Sequence, residues 1–229
     1  MIIIPTRLAS TRFPNKPLAK IHGREMILHV CDRCSAVDNI YVATPDVDII
    51  RLVENNGYRA VLTGDHITGT DRIAEVAEKI DDPEDIYINV QGDSPAVNLE
   101  DVKRVIETKR YHHKFVVGTM CRMDNIMEDN INVVKVIQNA GQLVYLTRKG
   151  GSKFRQCGLY AFNKEELRLF SQIPNKAAFL EMNENIELMR FIEIGYPVHM
   201  VEVAGSPEVD VPEDIKLLEH FIQEEYTWK

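Results

Sequence analysis

The chain has 229 residues, and 45% of them are hydrophobic, which suits one compact domain with a substantial core. Its formal net charge is −8, whereas a protein that binds a nucleic-acid backbone needs a basic face. No stretch approaches the roughly 20 apolar residues of a membrane-spanning helix, and the apolar residues 1–5 are too few for a signal peptide. We therefore predict a cytoplasmic protein that binds neither nucleic acid nor a membrane.

Short apolar runs alternate with amphipathic stretches over the first half of the chain. Strands are predicted at residues 2–4, 40–44, 60–63 and 86–90, and helices at residues 27–36, 46–55 and 70–80. This alternation is typical of βαβ units and of a mostly parallel sheet. Ligands bind such sheets beyond the carboxyl ends of the strands. The loops after Ile4 and Val90 are therefore expected to face one cleft.

The second half of the chain has a less regular pattern. Strands are predicted at residues 115–122, 133–137, 142–147, 156–162 and 198–203, and helices at residues 164–171, 184–194 and 212–226. No internal repeat, low-complexity segment or linker divides the sequence. We therefore treat the whole chain as one domain.

The cysteines include one close pair, Cys31-x-x-Cys34, which is a weak signal for a redox or zinc site. The pair lies in an amphipathic stretch of helical period, and no second pair follows at zinc-finger spacing. The sequence therefore predicts two reduced thiols on a helix.

Three cations, Arg7, Arg12 and Lys16, follow the first predicted strand within one loop. Backbone amides and hydroxyls that wrap phosphate oxygens, with Arg and Lys to neutralise them, make a polyphosphate site. A merely solvated basic loop would need neither the preceding buried strand nor Pro14 and Pro17. The loop matches neither the Walker A motif nor G-x-G-x-x-G, which disfavours a P-loop NTPase and a dinucleotide dehydrogenase.

Asp93 follows a buried strand and a glycine in Gln91-Gly92-Asp93, a position that suits a magnesium ligand. Asp210 is a second candidate, because it directly precedes a helix that is predicted to start at Pro212. Many aspartates end strands only as turn formers, so neither residue is decisive alone. Together they predict a Mg²⁺ site with two carboxylate ligands.

Several of these motifs occur in one order along the chain. The strongest are the loop up to Leu18, Thr68-Gly69-Thr70-Asp71-Arg72, Gln91-Gly92-Asp93 and Val209-Asp210-Val211-Pro212-Glu213-Asp214. In this set and order the sequence resembles the 3-deoxy-manno-octulosonate cytidylyltransferases, the CMP-Kdo synthetases, over nearly its whole length.

The resemblance implies a fold, a reaction and a division of the chain. The fold is α/β, with a mostly parallel Rossmann-like sheet of the nucleotide-diphospho-sugar transferase type and a smaller inserted α+β subdomain. Residues 1–125 would form the nucleotide-binding core, residues 126–205 the acceptor and dimerisation part, and residues 206–229 a metal-ligand segment and helix. The enzyme would transfer CMP from CTP to the anomeric hydroxyl of a sugar acid in lipopolysaccharide biosynthesis, with Mg²⁺ as cofactor, and would be a homodimer.

The resemblance also implies site residues. Lys16, Arg12 and Asp93 would be catalytic, and Asp93 and Asp210 would bind Mg²⁺. The nucleotide would be bound by Pro5, Thr6, Arg7, Ser10, Arg12, Lys16, Thr68, Gly69, Thr70, Arg72 and Gln91. The acceptor would be bound by Arg148, Gln156, Tyr160, Glu181, Glu184 and Glu187, with Arg155 as a further candidate.

The sequence departs from the family pattern on the acceptor side. Ser94, Gln156 and Leu188 stand where the family usually has an acidic residue, His and Gln. Nucleotide chemistry is therefore expected to be retained, while the acceptor is open between Kdo, an amino analogue and another small acid. For the predicted pair Glu184 and Glu187, one turn apart on a helix, a solvated acidic face is an equally good interpretation.

Three other functions stay open from the sequence. A nucleotidyltransferase of the same fold would use another acceptor or another nucleoside triphosphate. A non-catalytic nucleotide-binding protein would have no need of two metal carboxylates. A glycosyltransferase also places a metal carboxylate at the end of a strand, but the basic loop after Ile4 favours a triphosphate substrate.

Overall fold

The computed structural model describes residues 1–10, 12–123, 130–173 and 179–226. Nine of the strands in these ranges form one sheet, and the other two form a short hairpin. The strands are β1 Ile2–Pro5, β2 Lys20–Ile21, β3 Arg24–Glu25, β4 Ile40–Thr44, β5 Ala60–Leu62, β6 Tyr87–Val90, β7 Val116–Arg122, β8 Lys135–Asn139, β9 Gln142–Thr147, β10 Phe154–Phe162 and β11 Val198–Glu202.

The helices lie between these strands, and most match the predicted ones within two residues. They are α1 Met26–Cys34, α2 Val47–Asn55, α3 Gly69–Lys79, α4 Leu99–Tyr111, α5 Lys164–Gln172, α6 Phe179–Glu184, α7 Met189–Glu193 and α8 Asp214–Tyr226. No helix within the described ranges has both the length and the apolar character to cross a membrane.

The strand order of the large sheet is β5-β4-β1-β6-β10-β7-β11-β9-β8. The first four strands are parallel, as the βαβ pattern predicts. Strand β10 is antiparallel to both β6 and β7, whereas β11 is parallel to β7. The α/β class is therefore confirmed, but the sheet is mixed. Since β8 and β9 extend this same sheet, the inserted subdomain stays a prediction.

Strand β1 is buried on both faces of the sheet. Successive side chains of a strand point to opposite faces, and Ile2, Ile3 and Ile4 are all fully buried. Ile3 packs in a core with side chains of α3, α5 and α7. Ile2 and Ile4 pack in a second core with side chains of α1, α2 and α4. A continuous β-branched run is thus required by two helical layers.

The structure differs from the predicted elements in two places. The helix predicted over residues 184–194 is wrong, because Asn185 has a φ of 56° and separates α6 from α7. Asparagine is one of the few non-glycine residues that adopt this left-handed conformation readily. Helix α4 is not among the predicted helices; the Asn98 side chain caps it by accepting hydrogen bonds from the backbone N–H groups of Glu100 and Asp101.

A buried ion pair joins α4 to α5. The Lys109 ammonium donates to the Glu166 carboxylate at 2.6 Å, and neither side chain is exposed. Burial lowers the pKa of Lys109 and raises that of Glu166, while their mutual attraction opposes both changes. Lys109 also donates to the backbone oxygens of His113 and Phe115, so its charge is fully partnered.

Lys109→Met is expected to lower the free energy of unfolding by about 3–5 kcal/mol, because it leaves the Glu166 carboxylate buried without its counter-charge. Urea unfolding at pH 7 measures the change. Lys103→Met is the control, since the exposed Lys103–Glu100 pair should contribute less than about 1 kcal/mol. The double variant Lys109→Met/Glu166→Gln should recover part of the loss. A loss for Lys109→Met no larger than that for Lys103→Met would contradict the expectation.

Candidate active site

Two adjoining cavities open where the predicted functional loops converge. The first has a volume of about 820 Å³ and the second about 730 Å³. Residues that line both are Arg12, Gln91, Asp93, Asn132 and Arg148. The two cavities therefore meet at Arg12 and Asp93, two of the three side chains predicted to be catalytic, while Lys16 lines the first cavity alone.

The first cavity contains most of the predicted nucleotide-binding residues. Those that line it are Pro5, Thr6, Arg7, Ser10, Arg12, Lys16, Thr68, Gly69, Arg72 and Gln91. Thr70 is completely buried and does not line it. His66 and Ile67, which directly precede Thr68-Gly69 but were not predicted to bind the nucleotide, also line it.

The loop after β1 is fixed by backbone contacts to the neighbouring strand. The Thr6 N–H donates to the Ala43 oxygen at 2.9 Å, and the Leu8 N–H donates to the Asp46 carboxylate at 2.8 Å. Because these bonds use the amides next to the strand, the loop leaves the sheet at a defined point. Its cations are thereby directed to the carboxyl end of β1, as the sequence predicts.

A close approach joins this loop to the one after β6. A Cβ on Gly92 would lie 3.0 Å from the Thr6 side chain and 3.1 Å from the Pro5 oxygen. Any larger residue at position 92 would push the two loops apart. The close packing of the loops therefore requires glycine beside Asp93. The Lys16 ammonium then bridges the loops by donating to the Asp93 carboxylate.

The segment before α8 completes the same site. The Val209 N–H donates to the Asp93 backbone oxygen at 3.0 Å, and Lys16 donates to the Val209 oxygen at 2.9 Å. Asp214 accepts the N–H groups of Asp210 and Val211 at 2.8 and 2.9 Å, which fixes the turn. Asp210 and Asp93, 117 residues apart, thus lie on the same cleft.

Asp93 and Asp210 provide a donor set that fits Mg²⁺. This ion takes oxygen ligands and is usually held by one or two carboxylates together with substrate phosphates and water. Both carboxylates already face cations, since Lys16 contacts Asp93 and Arg12 contacts Asp210 at 2.9 Å. The described residues contain no cluster of three His, Cys, Asp or Glu side chains that could hold a metal alone. Such an ion would therefore need oxygens from the substrate.

The second cavity contains only part of the predicted acceptor set. Arg148, Arg155, Gln156 and Tyr160 line it, whereas Glu181, Glu184 and Glu187 line neither cavity. The Gln156 amide donates to the Tyr160 hydroxyl at 2.9 Å. Burial raises the pKa of Tyr160 far above its usual value, so this residue acts there as a neutral group.

Glu208 is a wall residue of the second cavity that sequence reasoning missed. Its carboxylate accepts the Gly158 N–H at 3.2 Å and reaches the solvent of the cavity. Partial desolvation and the nearby Asp93 raise the pKa of Glu208, while the Arg155 guanidinium opposes this change. Its position two residues before the predicted metal ligand Asp210 is the one feature of the sequence that could have indicated a place in the site.

Comparison with known proteins shows which family this sequence belongs to. The family model described as "Cytidylyltransferase" matches residues 1–198. The chain belongs to the cytidylyltransferase family. It is therefore a nucleotidyltransferase enzyme of the α/β class.

Curated relatives of this cytidylyltransferase cover almost the whole chain. The 3-deoxy-manno-octulosonate cytidylyltransferase of Nitratiruptor sp. is 37% identical over 94% of this chain and 97% of its own. The Escherichia coli protein of the same name is 35% identical, over 93% and 91%. The 8-amino-3,8-dideoxy-manno-octulosonate cytidylyltransferase of Shewanella pealeana is 33% identical, over 95% and 96%.

Two solved structures resemble this cytidylyltransferase. One is CMP:2-keto-3-deoxy-manno-octonic acid synthetase complexed with CTP, with a TM-score of 0.90, 31% identity and 98% coverage of each chain. The other, a glucose-1-phosphate thymidylyltransferase from Bacillus anthracis, is 13% identical with a TM-score of 0.72, covers 96% of this chain and 94% of its own, and shares the fold alone.

Two of the three glutamates predicted at the acceptor site are connected instead to the start of α3 in this cytidylyltransferase, Glu187 directly and Glu181 through Arg190. Thr68 caps α3 by accepting the Asp71 N–H at 3.1 Å, and Glu187 accepts the Thr70 N–H at 3.1 Å. Both bonds fix the turn that lines the first cavity. The expectation that Glu184 shares a helix face with Glu187 is wrong, because the helix breaks between them; Glu184 instead accepts a hydrogen bond from Tyr145.

A buried arginine ties the same turn to α6 and α7. Arg190 forms ion pairs with Asp71 at 2.8 Å and with Glu181 at 2.6 Å. Its guanidinium carbon lies 3.6 Å from the centre of the Phe170 ring. Glu181 therefore balances a buried charge behind the first turn of α3, which is why it is absent from the cleft.

Glu187→Ala is expected to raise the Kd for CTP about tenfold, a free energy near 1.4 kcal/mol, because the buried Thr70 N–H loses its acceptor. Glu187→Gln keeps an oxygen for that N–H and should stay within about twofold of the unchanged protein. Isothermal titration calorimetry measures both values, with thermal unfolding to show that each variant is folded. Equal loss in the two variants would contradict a role through the Thr70 amide.

Proposed function

We propose that the protein transfers CMP from CTP to the anomeric hydroxyl of a 3-deoxy-2-keto sugar acid and releases pyrophosphate. The meeting of the two cavities at Arg12, Gln91 and Asp93 is the observation that carries this proposal. CTP would occupy the first cavity and the acid the second. The α-phosphorus would then lie between them, where the two substrates can react.

The reaction is a substitution at the α-phosphorus. The anomeric oxygen forms a bond to phosphorus, the bond from phosphorus to the oxygen of the leaving pyrophosphate breaks, and the hydroxyl proton is released. Arg7, Arg12 and Lys16 line the first cavity and neutralise the triphosphate. Such transfers depend mainly on positioning the substrates and on stabilising charge in the transition state. The rate acceleration therefore comes from cations and not from a protein nucleophile.

Asp93 and Asp210 would hold Mg²⁺ against the phosphate oxygens. When bound, the ion supplies charge neutralisation and orients the triphosphate. Lys16 and Arg12, which contact the two carboxylates in the structure, then donate to the phosphates instead. Lys16 and Arg12 thus neutralise the two carboxylates before the substrate binds.

The acceptor would bind against the wall formed by β10 and the segment before α8. Arg148 and Arg155 supply positive charge for the carboxylate of the sugar acid. Gln156, Tyr160 and Glu208 supply neutral and acidic hydrogen-bonding groups for its hydroxyls or for an amino group. Both Kdo and its 8-amino analogue suit this chemistry, and relatives named for each acceptor are similar to this chain.

We infer a division of labour along the chain and a biological setting. Residues 1–125 bind the nucleotide, residues 126–205 bind the acceptor and mediate homodimerisation, and residues 206–229 supply a metal ligand and a helix. The enzyme would act in the cytoplasm in lipopolysaccharide biosynthesis. The alternatives are the same fold with another small acid or nucleotide, and a non-catalytic nucleotide-binding homologue.

A pyrophosphate-release assay tests the proposal directly. The protein is incubated with Mg²⁺, each nucleoside triphosphate, and Kdo, its 8-amino analogue or another 2-keto-3-deoxy sugar acid. CTP with one of these acids should release pyrophosphate and yield a CMP-sugar that mass spectrometry identifies. Tight CTP binding without release from any acid would favour the non-catalytic alternative.

Asp93→Asn is expected to lower kcat by about 100-fold or more, because the site loses a carboxylate that holds the metal. Because Asp and Asn side chains have nearly the same shape, the midpoint of thermal unfolding should change little. Asp48→Asn is the matched control, since Asp48 is exposed on α2 and lies outside both cavities. Full activity of Asp93→Asn would remove this residue from the metal site.

Arg155→Met is expected to raise the KM for the sugar acid about tenfold and to leave the KM for CTP within about twofold, since a charge-assisted bond to the acceptor is lost. Steady-state kinetics with each substrate varied in turn measures both. Arg51→Met, on an exposed position of α2, controls for the loss of one positive charge. A rise confined to the KM for CTP would show that Arg155 does not bind the acceptor.

A further inference from the structure

The paired cysteines of the Cys31-x-x-Cys34 motif are inert in this fold. Both side chains are completely buried on the core face of α1. Burial raises the pKa of each thiol, and that of Cys34 reaches about 12. Because the thiolate is the reactive form, the motif that the sequence singles out has neither the access nor the ionisation for redox chemistry.

The other two cysteines, 36 residues apart in sequence, are brought together by the sheet. In the antiparallel pair β7–β10, Cys121 lies opposite Arg155, and Cys157 lies opposite Thr119. The two cysteines are therefore diagonal neighbours on one face of adjacent strands. They pack together in a small cluster with Val203.

The environment makes these two thiols unequal. The neighbouring Cys157 thiol and the positive charge of Arg155 lower the pKa of Cys121, against burial and the carboxylates of Glu208 and Asp101. The neighbouring Cys121 and burial raise the pKa of Cys157. The pair thus contains one thiol disposed to ionise and one that keeps its proton.

The Arg155 guanidinium and the Cys121 sulfur both lie next to Gly205. A Cβ on Gly205 would be 3.0 Å from that sulfur and 3.2 Å from an Arg155 guanidinium nitrogen. Gly205, which has no side chain, therefore leaves room for both groups. A guanidinium beside a sulfur is an environment in which thiolates are stabilised.

The second cavity borders the pair on the Cys157 side. Cys157 is only 7% exposed and Cys121 only 4%, but Cys157 forms part of the wall of that cavity of about 730 Å³. The register of β10 shifts between Cys157 and Ala161. An irregular strand can adjust its backbone more easily than a continuous ladder, as formation of a disulfide requires.

We propose that Cys121 and Cys157 are an oxidisable dithiol in the wall of the acceptor cavity, and that a hydroperoxide converts them to a disulfide. The Cys121 thiolate attacks the peroxide oxygen, the O–O bond breaks, and the leaving alkoxide or hydroxide takes up a proton. The sulfenic acid formed on Cys121 is attacked by the Cys157 sulfur, which loses its proton as water leaves. A dithiol reductant reverses the change.

The disulfide alters the acceptor side of the site. Gln156 and Gly158 flank Cys157, and both line the second cavity. Joining Cys157 to Cys121 draws this part of β10 toward β7 and changes the wall. The nucleotide side, built on β1, β6 and α3, has no such link. Oxidation should therefore weaken acceptor binding and leave CTP binding unchanged.

Hydrogen peroxide treatment of the folded protein tests this proposal. Peptide mapping should find a Cys121–Cys157 disulfide, with Cys31 and Cys34 still reduced, and dithiothreitol should reverse it. Cys31→Ala/Cys34→Ala is the matched control and should form the same disulfide at the same rate. Cys157→Ala should form none and should accumulate a sulfenic acid on Cys121 that dimedone traps. Circular dichroism checks that each variant is folded.

Reaction at Cys31 and Cys34, or equal reaction of all four thiols, would overturn the proposal. These readouts need no turnover, so they hold whether or not the proposed transferase reaction is found. With turnover, the oxidised enzyme should show a KM for the sugar acid raised at least about threefold and an unchanged Kd for CTP. A disulfide without any effect on the acceptor KM would overturn its link to the cavity.

Discussion

The site depends on the contact between Asp93 and the Val209 segment. The Val209 N–H donates to the Asp93 backbone oxygen, and Lys16 joins the Asp93 side chain to the Val209 oxygen. Three segments that are far apart in sequence therefore meet at one point of the cleft. Asp210 gains its position from this contact, and the two cavities meet beside it. Without it, Asp210 would not be held opposite Arg12.

An acidic chain with a net charge of −8 nonetheless places several cations in one cleft. The fold achieves this by pairing cleft cations with the carboxylates that suit a metal, as in Arg12 with Asp210. The charges of Arg12 and Lys16 are thereby balanced by Asp210 and Asp93, and under the proposed function an incoming nucleotide would replace these partners. Local charge rather than net charge governs such a site. The pairing also limits the number of isolated cations that repel one another.

The sequence predicted the features that depend on local patterns, and it failed where distant residues decide. The buried run at Ile2–Pro5 and its basic loop follow from periodicity and residue type. Glu181, by contrast, has its role fixed by Arg190 and Asp71, which no local pattern connects. The break at Asn185 likewise depends on a single left-handed residue within an otherwise helical pattern. Sheet pairing alone brings Cys121 to Cys157.

The two sides of the cleft differ in how they are built, and this difference bears on how the acceptor can vary. The side proposed for the nucleotide rests on parallel strands and on the capped start of α3, where Glu187 accepts the Thr70 N–H and Arg190 donates to the Asp71 side chain. The side proposed for the acceptor rests on β10, whose register shifts after Cys157, and on Glu208, which accepts the Gly158 N–H. None of these contacts of α3 involves a residue that lines the second cavity. A fold of this kind can retain cytidylyl transfer while its choice of acid changes.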